Sequence, residues 1–132
     1  MKREKQISYN RPAADLVLPE SPELERAVLG ALILEPDQLS DVTEIVGISA
    51  FSDPNNGKIY GAMLSMLEQG NKIDLCMLSQ HPELKGREMV RYLVELTNSI
   101  GSAVNVLDHA RQLADIEARR RLIMLSYEIA AK

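Results

Sequence analysis

Few side chains in this sequence could do chemistry, and their spacing limits what that chemistry could be. His81 and His109 are the only histidines, and neither has a cysteine or carboxylate at a metal-ligand spacing such as HExxH or CxxC. A solvated or helix-capping role is expected for both. Cys76 is the single cysteine and lies among Leu75, Met77 and Leu78 with no base nearby. It reads as a small buried hydrophobe rather than a nucleophile. Gly57-Lys58 resembles the end of a phosphate loop. A Walker A motif, however, needs glycine where Ser52 stands and serine or threonine where Ile59 stands. Glu23 and Glu25 are two residues apart, which on a helix sends them to different faces. They suit the positive end of a helix dipole better than paired acid/base work. Arg119-Arg120-Arg121 is the one run of bases, and on a helix three consecutive residues fan over roughly 200°. A solvated face is expected there rather than a single-faced patch. No catalytic residue, metal site or cofactor site is expected in this chain.

The elements that carry these residues read as helices. Ser21-Pro22-Glu23 combines an N-cap candidate, proline at the first helical position and an acid near the dipole. The helix runs to about Leu34. It is apolar on most sides, as expected at the centre of a bundle. Gly30 stands out inside it, because glycine costs roughly 1 kcal/mol against alanine in a helix. A missing Cβ implies close approach by another backbone or a bulky side chain. A second helix opens at Pro36-Asp37, with Leu39, Val42 and Val46 on one face and Gly47 at its end. Ser52-Asp53-Pro54 repeats the cap-then-proline device for a third helix, closed by Gly70. Asp74 starts a fourth, with Ile73 and Leu78 placed as a hydrophobic staple, stopping near His81-Pro82. Residues 87–97 form a fifth around Val90, Leu93, Val94 and Leu96. Ser102 is placed to cap the longest segment, about 103–131, which has no internal glycine or proline. No stretch alternates with period two, so the fold class expected is all-α, five short helices followed by one long one.

Length, composition and charge agree with a folded single domain. The chain has 132 residues, 45% of them hydrophobic and 26% charged. With one phenylalanine and no tryptophan, its core must be aliphatic, with six methionines as gap fillers. One cysteine excludes an internal disulfide and fits a reducing compartment. The longest apolar run, Ala27–Leu34, is far too short to cross a bilayer. A cytoplasmic protein with no membrane partner is expected. The net charge is −4. Residues 1–11 carry +3, residues 103–132 carry +1, and residues 12–102 carry −8. An acidic body repels a phosphate backbone, which argues against a stand-alone DNA-binding module.

The order and spacing of several weak motifs resemble a known family. Pro19-x-x-x-Glu23-x-Glu25-x-x-Val28-Leu29-Gly30 is similar to the opening of the N-terminal domain of DnaB-type bacterial replicative DNA helicases. Phe51, Ile59-Tyr60, Leu67, Gly70 and Ile73-Asp74 follow at the family's spacings. So do Tyr92-Leu93, Ser102-Ala103-x-Asn105, Ala110, Arg120 and Glu128-Ile129-Ala130. The resemblance covers about 19–130. Two positions depart from it: the family usually has an aromatic where Ser52 stands and a histidine where Asn56 stands. The stretch 79–91 also looks shorter than usual and lacks a glycine pair.

Residues 1–18 show no sustained period and a basic start, and are expected to form a flexible arm. The resemblance implies a compact orthogonal helical head at 19–101 and a long helix at 102–132 that is the first arm of a truncated hairpin. It implies self-association, as a dimer and as a trimer of dimers in a full-length hexamer. It also implies docking of the primase C-terminal helicase-binding domain. ATP and Mg would belong to a motor domain absent from this chain, and DNA would be engaged only through the full-length ring. The fragment is expected to be non-catalytic, an excised N-terminal piece. A stand-alone adaptor or helicase regulator with the same fold is the alternative. Leu113, Leu122, Ile123, Leu125 and Ile129 continue an apolar face along the long helix, and are the candidate subunit or partner interface. Gly30 is expected to be a packing residue.

Overall fold

The computed structural model describes residues 17–131, and among these it contains helices and no strand. Helix α1 spans Pro22–Leu34, α2 Leu39–Thr43, α3 Pro54–Glu68, α4 Leu75–Ser79, α5 Arg87–Ser99 and α6 Val106–Ala131. Short 3-10 turns occupy Pro36–Gln38, Ile48–Ala50 and Pro82–Leu84. The expected arm at 1–18 lies outside the described residues except for Val17 and Leu18.

Three helix starts follow the local signals. Ser21 accepts the Leu24 amide at 3.2 Å, Asp53 accepts the Asn55 and Asn56 amides, and Asp74 accepts the Met77 amide at 2.8 Å. Ile73 and Leu78 are both buried at the fourth start, as a staple requires. At the end of α3, Gly70 takes φ +73° and the Asn71 amide reaches back to the Met66 carbonyl, the six-to-one bond of a Schellman motif. His81 caps the Pro82–Leu84 turn, its Nδ1 accepting the Glu83 amide.

Several boundaries differ from expectation. The second helix begins as a 3-10 turn at Pro36 and regular α geometry lasts only to Thr43. Val42, Thr43, Ile45 and Val46 are β-branched and weaken a helix. Gly47 sits at φ −104°, so it does not close the helix in the left-handed region. The long helix starts at Val106, because Ser102 instead bonds the Val104 amide in a local turn. Cys76 is exposed, contrary to the buried role expected. In so short a helix Leu78 alone is buried, and Cys76, two residues before it, faces elsewhere.

The core is mostly aliphatic, with Phe51 and Tyr60 its aromatic members, and is continuous from α1 through α6. Val28, Leu29 and Leu32 of α1 meet Ile59 and Met63 of α3, Leu93 and Leu96 of α5, and Val106, Ala110 and Leu113 of α6. Helix α1 packs against α3, α5 and α6, which places it at the bundle's centre. At Gly30 a Cβ would sit 2.6 Å from the Leu96 carbonyl oxygen and would overlap the Ile100 side chain. The glycine is therefore the point where the backbone of α1 meets both the Leu96 carbonyl of α5 and the Ile100 side chain just beyond it.

Tyr60 is fully buried, donates to the Val46 carbonyl at 2.9 Å, and packs its ring against Phe51 at 4.6 Å between centroids. Burial pushes its hydroxyl from the ordinary 10.0 up to about 12. Between those two values the unfolded tyrosine has lost its proton while the folded one keeps it, so stability falls as pH rises through that window. An absorbance titration of the phenolates is expected to show one late step near pH 12. Tyr60→Phe should remove that step and flatten the alkaline loss of stability; an unchanged late step would reassign it to another tyrosine.

One polar network lies within this apolar interior. Glu25 is fully buried. Its carboxylate accepts the Ser52 amide at 2.8 Å, the Ser52 hydroxyl at 2.6 Å, the Asp53 amide at 3.2 Å and the Asn56 side-chain amide at 2.9 Å. Tyr92 of α5 then donates its hydroxyl to the Asn56 Oδ1. Burial pushes the Tyr92 hydroxyl up and the Asp53 charge adds to this, while Arg26 and Asn56 pull it down. Glu25 thus serves the approach to α3 rather than the dipole of its own helix. This corrects the dipole role expected from its sequence position. Among the described residues no buried side-chain polar atom lacks a partner.

Candidate partner interface

Helix α6 has two halves with different surroundings. Through Val106, Ala110 and Leu113 it fills the core of the head. Leu113 is fully buried there, so it presents no surface to a second chain and does not belong to the interface expected for it. The core of the head thus takes in the first turns of the segment that the resemblance sets apart at 102–132.

The middle of α6 is tied down by polar contacts. Arg120 donates to the Pro19 carbonyl at 3.0 Å, the Ser49 carbonyl at 3.2 Å and the Ala50 carbonyl at 3.3 Å. One planar guanidinium therefore joins α6, the chain before α1 and the turn before α3, a geometry suited to its fork of donors. Glu117 accepts the Ser49 hydroxyl and the Arg121 guanidinium, the latter at 2.7 Å. Arg119 pairs with Asp115 at 2.8 Å along the exposed helix surface. The three consecutive arginines thus have three different partners, and Arg120 is a structural tie rather than part of a solvated face.

Past this tie α6 loses its cover. Leu122 is 67% exposed, Leu125 51% and Ile129 65%, with Ile123 at 39%. Leu122, Leu125 and Ile129 follow an i, i+3, i+7 spacing, so they form a single stripe. Beyond the last buried turn this apolar stripe has no cover from the head. Among the described residues no group of three or more His, Cys, Asp or Glu could hold a metal ion. No described helix is long and apolar enough to cross a membrane.

The sequence model of the DnaB-like helicase N-terminal domain matches residues 17–115, three quarters of the chain. This chain belongs to that family. The replicative DNA helicase DnaB of Rhodothermus marinus is 34% identical over 125 residues, covering 92% of this chain and 13% of its own length. That of Treponema pallidum is 32% identical, covering 86% of this chain and 27% of its own. The chain therefore spans only a small part of the helicases it matches. Among solved structures, the N-terminal domain of DnaB helicase from Mycobacterium tuberculosis aligns with a TM-score of 0.74 at 26% identity, over 88% of this chain and 87% of that one. The corresponding Helicobacter pylori domain shares the fold, with a TM-score of 0.67 at 24% identity over 80% and 85%. Both family positions noted as departures, Ser52 and Asn56, contact the same buried carboxylate, Glu25. Nothing in the sequence spacing alone pairs them with it.

Proposed function

We propose that this domain is the collar-building and primase-docking part of a hexameric, ATP-dependent replicative DNA helicase. In this reading ATP hydrolysis and DNA translocation reside in a motor domain beyond this chain. The apolar stripe of α6 pairs with a second copy, giving dimers that three-fold symmetry would arrange as a trimer of dimers. The single observation that carries this reading is that stripe, emerging from a head whose own core is closed. Membership of the DnaB-like N-terminal family and its helicase relatives support it. The primase assignment is supported by the Helicobacter pylori domain, which interacts with primase.

Magnitude sets the expected strength of the contact. Burying a whole leucine or isoleucine is worth about 1.5–3 kcal/mol, and these side chains are roughly half exposed. Their summed gain in a pair is of the same order as the cost of association, about 4–15 kcal/mol. Weak, concentration-dependent self-association is therefore expected of this chain alone. Sedimentation velocity should show a weight-average coefficient that rises with concentration. Leu122→Asp with Leu125→Asp should hold the chain monomeric, with stability changed by less than about 0.5 kcal/mol because both sites are exposed. Strict monomers at high concentration, together with no binding of a primase C-terminal domain, would sink the assembly role.

A further inference from the structure

Residues 12–102 hold only six basic side chains against fourteen acidic ones. Four of the six, Lys58, Lys85, Arg87 and Arg91, line one groove of about 760 Å³ between the start of α3 and the start of α5. All four are exposed. Among the described residues none of them makes an ion pair; the three ion pairs found all lie within α6. Glu88 and Glu95 share the lining and leave the groove net positive. Gathering like charges costs repulsion that scattering them among fourteen carboxylates would avoid. Such a patch complements a partner of opposite sign.

A second observation narrows the class of anion. Val90 and Val94 lie one turn apart on α5 and are 37% and 38% exposed. With Arg87 and Arg91 they follow the i, i+3, i+4, i+7 pattern, so bases and valines share one helix face. Two valines offer nothing to a phosphate backbone, and the acidic surroundings repel an extended polyanion. A helix carrying carboxylates beside an apolar stripe matches both features of the surface.

We infer that the α3–α5 groove, with the outer face of α5, is a docking site for an acidic amphipathic helix of a partner protein. It goes beyond self-association and is separate from the α6 stripe: α5 and α6 each pack on α1, and the groove has no lining residue from α6. Both surfaces can be occupied together.

The test uses a fluorescein-labelled helical peptide of roughly 18 residues, about five turns, built from Glu, Ala and Leu with the leucines on one face. Its scrambled counterpart and an oligodeoxythymidine serve as comparisons, each titrated by anisotropy into the 132-residue chain. The amphipathic peptide is expected to bind most tightly. Arg87→Glu with Arg91→Glu should weaken it about tenfold or more, as reversed charge does at complementary interfaces. Val90→Ser with Val94→Ser should weaken it severalfold, and Leu122→Asp should leave it unchanged. Lys58→Glu with Lys85→Glu repeats the charge reversal on α3 and the loop before α5, should the α5 pair disturb folding. Equal binding by wild type and both charge-reversed variants overturns the inference. So does a scrambled peptide or an oligonucleotide that binds as tightly as the amphipathic one.

Discussion

Gly30→Leu is expected to unfold the head at ordinary temperature, and Gly30→Ala to lower its stability by about 1–3 kcal/mol, the range for overpacking a filled core. Local rules alone give the opposite sign for alanine, which gains roughly 1 kcal/mol over glycine in a helix. The geometry decides between them. A Cβ at position 30 would lie 2.6 Å from the Leu96 carbonyl oxygen, so backbone rather than a pliant side chain would have to move. Ile100 can rotate away; the carbonyl of α5 cannot move without separating two packed helices. Urea unfolding followed by helical circular dichroism measures the loss directly. Loss of self-association in these variants should track the loss of fold. A Gly30→Leu protein that melts like wild type yet fails to assemble would move Gly30 from the core to the interface.

Glu25→Ala should be nearly as severe, costing about 3–5 kcal/mol. The carboxylate accepts from four donors in a buried place. Hydrogen bonds to a charged group are worth about 1.5–3 kcal/mol each, and donors left bare add their own desolvation cost. Part of this is recovered where water enters the space left behind. Glu25→Gln keeps the shape but turns an acceptor into a donor, and about 1–3 kcal/mol is expected from the same rules. Glu23→Ala is the control, because Glu23 is exposed and should shift the midpoint by less than about 0.5 kcal/mol. Equal effects at positions 23 and 25 would mean that both act only through the helix dipole.

These two positions also mark where reading from sequence works and where it stops. Helix starts at Ser21, Asp53 and Asp74 were legible because a cap and its amide are two or three residues apart. The misfit of glycine in an apolar helix announced a close approach, though not that Leu96 and Ile100 make it. Glu25 could not be read locally, since its partners lie 27 to 31 residues away. The only hint was that the two family departures are Ser52 and Asn56, and both touch it. Arg120 was hidden for the same reason, with acceptors 70 to 101 residues distant. The basic groove escaped because its four cations are spread from 58 to 91, whereas the conspicuous arginine triplet disperses to separate partners. Of the candidate interface, Leu122, Ile123, Leu125 and Ile129 are exposed as such a surface requires. Leu113 shares their periodicity but not their surroundings.

The unbroken course of α6 has a mechanical consequence. Its 26 residues contain no glycine or proline, so a rod of about 39 Å carries continuous hydrogen bonding with no hinge. Arg120 fastens the middle of that rod to three carbonyls of the head. The ten residues beyond Arg121 then form a lever of about 15 Å. Tilting the head by a few degrees swings the tip through an ångström or so, and a pull on the tip returns as torque on the turn at Ile48–Ala50. Cutting the Arg120 tether would leave the rod intact and seated in the core through Val106, Ala110 and Leu113, with its outer half freer to bend away from the head.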